Sequence, residues 1–207
     1  MTIATIPGFD AIGANVTHLP APDGPFIYFG YATGTGDVPW TAEEWARYPS
    51  AVRIDQSPAA GGWDRLADVD DYERGAVELG ELSGRAKERL AAFHAGERPG
   101  QRSPAVYASQ SNLTDVCNAL VTGGVTSGVG LAVAHWGITP AAAVAMVANA
   151  SGPFPVIACQ YANGPDYDSW AVSLPWLSAV SAAPRVGAPL KSIVLNFQDG
   201  TSKTLVP

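Results

Sequence analysis

Basic residues are scarce in this chain: 12 Lys and Arg stand against 19 Asp and Glu, a formal charge of −7. A chain of that sign repels a phosphate backbone, and no local Lys/Arg stripe offsets it, so nucleic acid is not an expected partner. Cysteine is almost missing. Cys117 and Cys159 are too few for a disulfide framework or a zinc knuckle, and their settings, TDVCNAL and PVIACQY, predict buried free thiols. Nowhere do about 18 uninterrupted apolar residues occur, and MTIATIPGFD has no positive n-region, so neither a membrane span nor a secretion signal is expected. With no Cys/His/Asp cluster at ligand spacing, no metal and no other cofactor is expected. The glycine-rich runs GTGDVPW and GGVTSGVG lack the P-loop lysine and the G-x-G-x-x-G spacing, and Ser57 and Ser109 lack the G-x-S-x-G elbow. Nucleotide-binding and serine-hydrolase readings fall away together.

What is present is enough apolar material for one sizeable core, 47% of 207 residues, broken by 22 glycines and 17 prolines into a loop-rich pattern. Eight short runs rich in β-branched or aromatic residues read as strands: TIPGFDA, PFIYFGYATG, AVRIDQS, RLADVDDYE, PAVYASQS, GVGLAVAHW, FPVIACQYA and YDSWAV. Helical segments lie between several of them, in WTAEEWARYP, ERGAVELGELSGRAKERLAAFHAG, NLTDVCNALVTGG and TPAAAVAMVANAS. Thr41 with Glu44 fits a capping box, Thr114 is placed to cap the helix holding Cys117, and Thr139 precedes Pro140 at a helix start. The alternation predicts an α/β fold with a parallel sheet. The links NVTHLPAPDG and PAAGGWD are too short and Pro/Gly-rich for a full crossover helix, so a barrel built from these strands is an irregular TIM-like (β/α)8 barrel with some helices missing. It should span residues 1–182. Residues 183–207 read as a Pro/Ala linker and a C-terminal β-hairpin turning at Asp199-Gly200.

The stretch ADVDDYERGA places Asp68, Asp70, Asp71 and Glu73 within six positions. Residues two apart on a strand share a face, so Asp71 and Glu73 project together while Tyr72 points the other way. Two carboxyls opening on one cleft suit glycosidic cleavage, in which one is protonated to assist the leaving oxygen and the other is ionised. A calcium loop is a poor fit because Gly75 is misplaced for it. A solvated acidic turn preceding the next helix competes with the catalytic reading.

The order of features around this motif is more specific than the motif. GFDA at 8–11, a tyrosine-rich second strand, the D-x-E of Asp71 and Glu73, PAVYAS, a strand ending in AHW, and CQYANGPDYDSW together resemble the glycoside hydrolase family 25 lysozymes and related glycoside hydrolase-like domains of actinobacteria and their phages, over roughly residues 6–180. The resemblance implies an irregular β/α barrel that cleaves peptidoglycan. It implies that Asp10 ends the first strand at the site, that Glu73 is the proton donor beside Asp71, and that Asp168 is the acid of the last strand, with Asp166 as the alternative. Gln160-Tyr161 matches the family's Q-Y pair and Tyr107 its tyrosine on the fifth strand.

Further aromatics, Tyr28, Tyr31, Trp40 and Trp136, fall near strand ends where a sugar cleft favours flat apolar faces, though part of this set is expected in the core. Tyr31, Tyr107, Trp136, Gln160 and Tyr161 are the candidate substrate-binding residues. His135 either lines the cleft or is structural. Two functions follow: a hydrolase of cell-wall glycan, or a catalytically degenerate barrel serving as a structural or glycan-binding component of a phage tail or virion, with other virion or tail proteins met through the C-terminal hairpin. On a phage origin, the expected location is the host cytoplasm before lysis, or the virion.

Overall fold

The computed structural model describes residues 3–22, 24–33, 38–57, 62–73, 76–98, 102–149, 152–178, 193–196 and 202–205. Eight strands close into a barrel in chain order: β1 (Thr5–Asp10), β2 (Ile27–Thr33), β3 (Val52–Asp55), β4 (Val69–Tyr72), β5 (Ala105–Ser109), β6 (Gly130–Ala134), β7 (Val156–Asn163) and β8 (Asp168–Ser173). All eight predicted strands are present. The first seven run parallel, but β8 is antiparallel to both β7 and β1. The result is the expected irregular TIM-like barrel, parallel except at this last strand. Only residues 164–167 separate β7 from β8, far short of the dozen or so that a parallel crossover needs, so the chain must turn straight back.

Helices cover the outside unevenly. α1 (Ala42–Arg47) follows β2, α2 (Leu82–His94) follows β4, α3 (Leu113–Thr122) follows β5, α4 (Pro140–Ala148) follows β6, and α5 (Leu174–Ser178) follows β8. Between β1 and β2 the described residues carry a 3-10 stretch, Gly13–His18, and no α-helix, as expected, while most of the PAAGGWD link lies outside the described residues. Thr41 and Glu44 form the reciprocal capping box, and Thr139 accepts from the Ala142 N–H with Pro140 in the first turn. The expected Thr114 cap does not form. A 3-10 turn over Gln110–Asn112 runs directly into α3, so the chain is already helical at Asn112 and Thr114 lies inside the first turn. Among the described residues no helix is long and apolar enough to cross a membrane.

Period-2 alternation sorts each strand between the barrel interior and the helical layer. Ile6, Phe29, Val52, Ile54, Val69, Tyr107, Ala132, Ala158, Trp170 and Val172 meet inside. Small residues make room for large ones: a Cβ on Gly8 would lie 2.9 Å from Ile27, and Phe29 stacks on Trp170 with centroids 4.5 Å apart. Trp176 of α5, with Leu174 and Leu177, packs against the same cluster. Outward residues pair with the helices. Val106, Leu131 and Val133 join Leu82, Ala86, Val116 and Leu120 of α2 and α3, while Cys159 and Ala171 join Ala143 and Val147 of α4. Cys159 is the buried thiol predicted; Cys117 is only half-buried. β9 (Ile193–Asn196) and β10 (Ser202–Leu205) pair antiparallel as the expected C-terminal hairpin. The expected turn at Asp199-Gly200 and the expected boundary at 182/183 lie outside the described residues.

Candidate active site

The interior phase of several strands ends, at one mouth of the barrel, in polar side chains. On β1 the phase Ile6, Gly8 leads to Asp10; on β4 Val69 leads to Asp71 and then to Glu73; on β3 Val52 and Ile54 lead to Gln56. β8 enters the barrel from this same mouth because it runs backwards, so Asp168 opens its strand and pairs in register with Asp10. A reversed strand thus brings its first residue to where parallel strands bring their last.

Hydrogen bonds fix the orientation of three of these carboxylates. Trp170 Nε1 donates to Asp10 Oδ1 at 2.6 Å and the Tyr31 hydroxyl to Asp10 Oδ2 at 3.0 Å. Gln56 Nε2 donates to Asp71 Oδ2 at 2.8 Å. Gln160 Nε2 donates to Asp168 Oδ2 at 2.6 Å, and the Gly164 N–H to Oδ1 at 3.2 Å. Asp10 and Asp71 are each 2% exposed, whereas Glu73, just beyond the end of β4, is exposed.

Tyr107 lies among all four acids. Its hydroxyl donates to Gln160 Oε1 at 2.6 Å, and its pKa is pushed up chiefly by burial and then by the charges of Glu73, Asp71, Asp10 and Asp168. Asp71 is in register with Tyr107 across β4 and β5, as Asp10 is with Asp168 across β1 and β8. Trp136 also donates to Gln160 Oε1, at 2.9 Å, while the residue as a whole stays 53% exposed. Gln160 is itself buried and joins Tyr107, Trp136 and Asp168 through a single amide. Tyr31, Tyr107, Trp136 and Gln160 therefore share the mouth with Asp10, Asp71, Glu73 and Asp168.

Other candidates lie elsewhere. Tyr161 packs beside the cluster under α4, where burial raises its pKa and Ser169 is its hydrogen-bonding neighbour. Asp166 is half-exposed and pairs with His18 at 2.9 Å, so Asp168, not Asp166, meets Gln160. Tyr28 and Trp40 are buried outside the barrel with Tyr48. The His135 backbone N–H donates to Gln160 O, and its Nδ1 is buried without a hydrogen-bond partner. Among the described residues, no group of three or more His, Cys, Asp or Glu is arranged to hold a metal ion.

The remaining acids of ADVDDYERGA are neither solvated nor at the mouth. Asp68 and Asp70 point outward into a buried ion lattice. Asp68 takes Arg98 Nη2 and Arg102 Nη1, each at 3.0 Å. Asp70 takes Arg89 at 2.8 Å and Arg85 at 3.5 Å, and Arg89 also reaches Asp55 at 2.9 Å. Burial nevertheless raises the Asp70 pKa, opposed by Arg89 and Arg85. Sequence reasoning missed both Gln56 and the arginines. The interior phase of VRIDQ and the i, i+4 spacing of Arg85 and Arg89 were the available signals.

No protein-family model matches the chain, and no curated protein does. Among solved structures, a bacterial lysozyme from Streptomyces coelicolor aligns with a TM-score of 0.46 at 17% identity, covering 87% of this chain and 99% of the lysozyme. The CTP1L endolysin aligns with a TM-score of 0.45 at 12% identity, covering 87% of this chain and 71% of that one. At these scores and identities, neither match says what this chain does.

Proposed function

We propose that the barrel mouth is a glycosidase site that cleaves bacterial cell-wall peptidoglycan by carboxylate acid/base chemistry. The observation that carries this reading is the placement of Asp10 in register with Asp168 and of Asp71 in register with Tyr107 at one mouth of the barrel, with Gln160 joining Tyr107 to Asp168. In the proposed mechanism Glu73, the exposed member, is the general acid that protonates the leaving oxygen. Asp71, held by Gln56, remains ionised and supports the positive charge that develops on the sugar side. Asp10 and Asp168 complete the negative wall, fixed by neutral donors from Tyr31, Trp170 and Gln160. Trp136 offers a sugar ring an exposed flat face whose edge is anchored to Gln160.

Glu73→Gln keeps the shape of the side chain and removes the transferable proton. It should lower release of reducing sugars from peptidoglycan at least about 100-fold, the usual scale of general acid catalysis, with an unchanged circular dichroism spectrum. Unchanged turnover would overturn the assignment of the acid. The anchored Trp136 platform also supports a second reading, a glycan-binding barrel without turnover that serves as a virion or tail part. Retention on cell walls with no sugar release by the unaltered chain would favour that reading, and release would dismiss it.

A further inference from the structure

We infer that Gln56 is a positioning residue, which acts through Asp71 to fix the direction of that carboxylate at the barrel mouth and to favour its ionised form. The inference rests on the site proposed above for its use in catalysis, but not for its test.

Gln56 follows β3 immediately and continues the interior phase of Val52 and Ile54, so its buried side chain reaches the barrel mouth. There its amide N–H donates to Asp71 Oδ2 at 2.8 Å. The contact does not depend on a flexible loop, because both residues are held from behind. Asp55 and Asp70, the residues just before Gln56 and Asp71, are in register across β3 and β4 and share the Arg89 guanidinium, at 2.9 and 2.8 Å. Asp55 also accepts from the Ser57 N–H at 2.9 Å and the Asp64 N–H at 2.8 Å, which fixes the chain on the far side of Gln56. One outward ion lattice thereby sets the inward meeting of an amide with a carboxylate.

The electrostatic need for such a donor is local. Tyr107 of β5 is in register with Asp71 and feels its charge together with those of Glu73, Asp10 and Asp168, while Arg85 and Arg89 of α2 lie behind the strand beside Asp70. A hydrogen bond donated to a carboxylate favours its charged form, which matters most where other acids share the same mouth. An amide can do this without adding a positive charge to the cleft. It also occupies one oxygen, so that the second oxygen has a set direction.

The test is carboxyl 13C NMR titration of Asp71 in the full chain and in its Gln56→Met and Gln56→Glu variants. Loss of the charged hydrogen bond in Gln56→Met should move the Asp71 midpoint upward by about one pH unit. In Gln56→Glu, which is isosteric, the two carboxyls should titrate as a coupled pair in two separated steps. An Asp71 curve unchanged in the folded variants would overturn the inference, and the Glu variant decides it if the Met variant fails to fold. This readout needs no turnover: if the unaltered chain releases no sugar, the glycosidase reading fails while the titration still decides the role of Gln56. Where turnover is present, the acid limb of its pH profile should move upward with the Asp71 midpoint.

Discussion

Cys159 and Gln160 are neighbours on β7 and face opposite worlds. Gln160 points to the mouth, where one amide serves three partners, so a ligand there would meet Trp136 and Asp168 with Gln160 behind them. Cys159 points outward under α4, and burial pushes its thiol up to about 11. Only the thiolate is an effective nucleophile, so iodoacetamide at about pH 8 should label Cys117 in the native protein and reach Cys159 only after unfolding. Mass spectrometry of the labelled peptides reads this out, and native labelling of both at equal rates would contradict it. The linkage has a definite sign. A thiol whose folded pKa is raised favours the fold while protonated, so its contribution is intact below the ordinary value of 9.0 and declines as pH rises from there through about 11. At this same scale, strand phase let the sequence distinguish Asp71 and Glu73 from Asp68 and Asp70, because alternation is a property of the backbone. It gave the two outward acids no partners. Their partners Arg85, Arg89, Arg98 and Arg102 come from distant turns of the chain, so only the folded arrangement reveals them as buried ion pairs.

Among the elements, α2 stands out because it contributes charge, and not only apolar cover, to the sheet. Arg89 is 0% exposed and ties β3 to β4 through Asp55 and Asp70, with its guanidinium 5.2 Å from the ring centroid of Trp63. A buried lattice of this kind is a weak net source of stability while complete, yet removing one partner leaves uncompensated charge in an apolar setting. Arg89→Met should therefore destabilise the barrel by about 3–5 kcal/mol, read as a lower midpoint in urea denaturation. A loss of only a few tenths would mean that Asp55 and Asp70 find other partners. The reversal of β8 is decided at this scale too. GPDY between β7 and β8 leaves no room for a crossover, and the length of that link was legible in the sequence even though strand direction was not read from it. The Thr114 cap failed for a related reason. A threonine near a helix start is a local signal, but whether the preceding residue is extended or already helical depends on how the chain leaves β5.

At the scale of the whole molecule, the formal charge of −7 combines with an acidic mouth. On the proposed function, approach to an anionic cell wall is opposed over a distance that salt shortens, since the Debye length falls from ~30 Å at 0.01 M to ~10 Å at 0.1 M. Turnover of whole walls should rise across that range of ionic strength, while turnover of an uncharged soluble glycan should hardly change. Equal salt responses for the two substrates would show that long-range repulsion plays no part.

The sequence by itself determined which segments become strands, where α1 and α4 start, and which of four clustered acids face inward, because those properties repeat at 2 or 3.6 residues and depend on near neighbours. Tertiary structure alone decided that β8 closes the barrel in reverse against β1. That closure brings Trp170 to Asp10 across 160 positions and sets Asp10 in register with Asp168. It also decided that Gln56 meets Asp71 in front of a lattice of buried arginines. Contacts at such separations are made by the closing of the sheet, and no spacing within a single stretch of sequence encodes them.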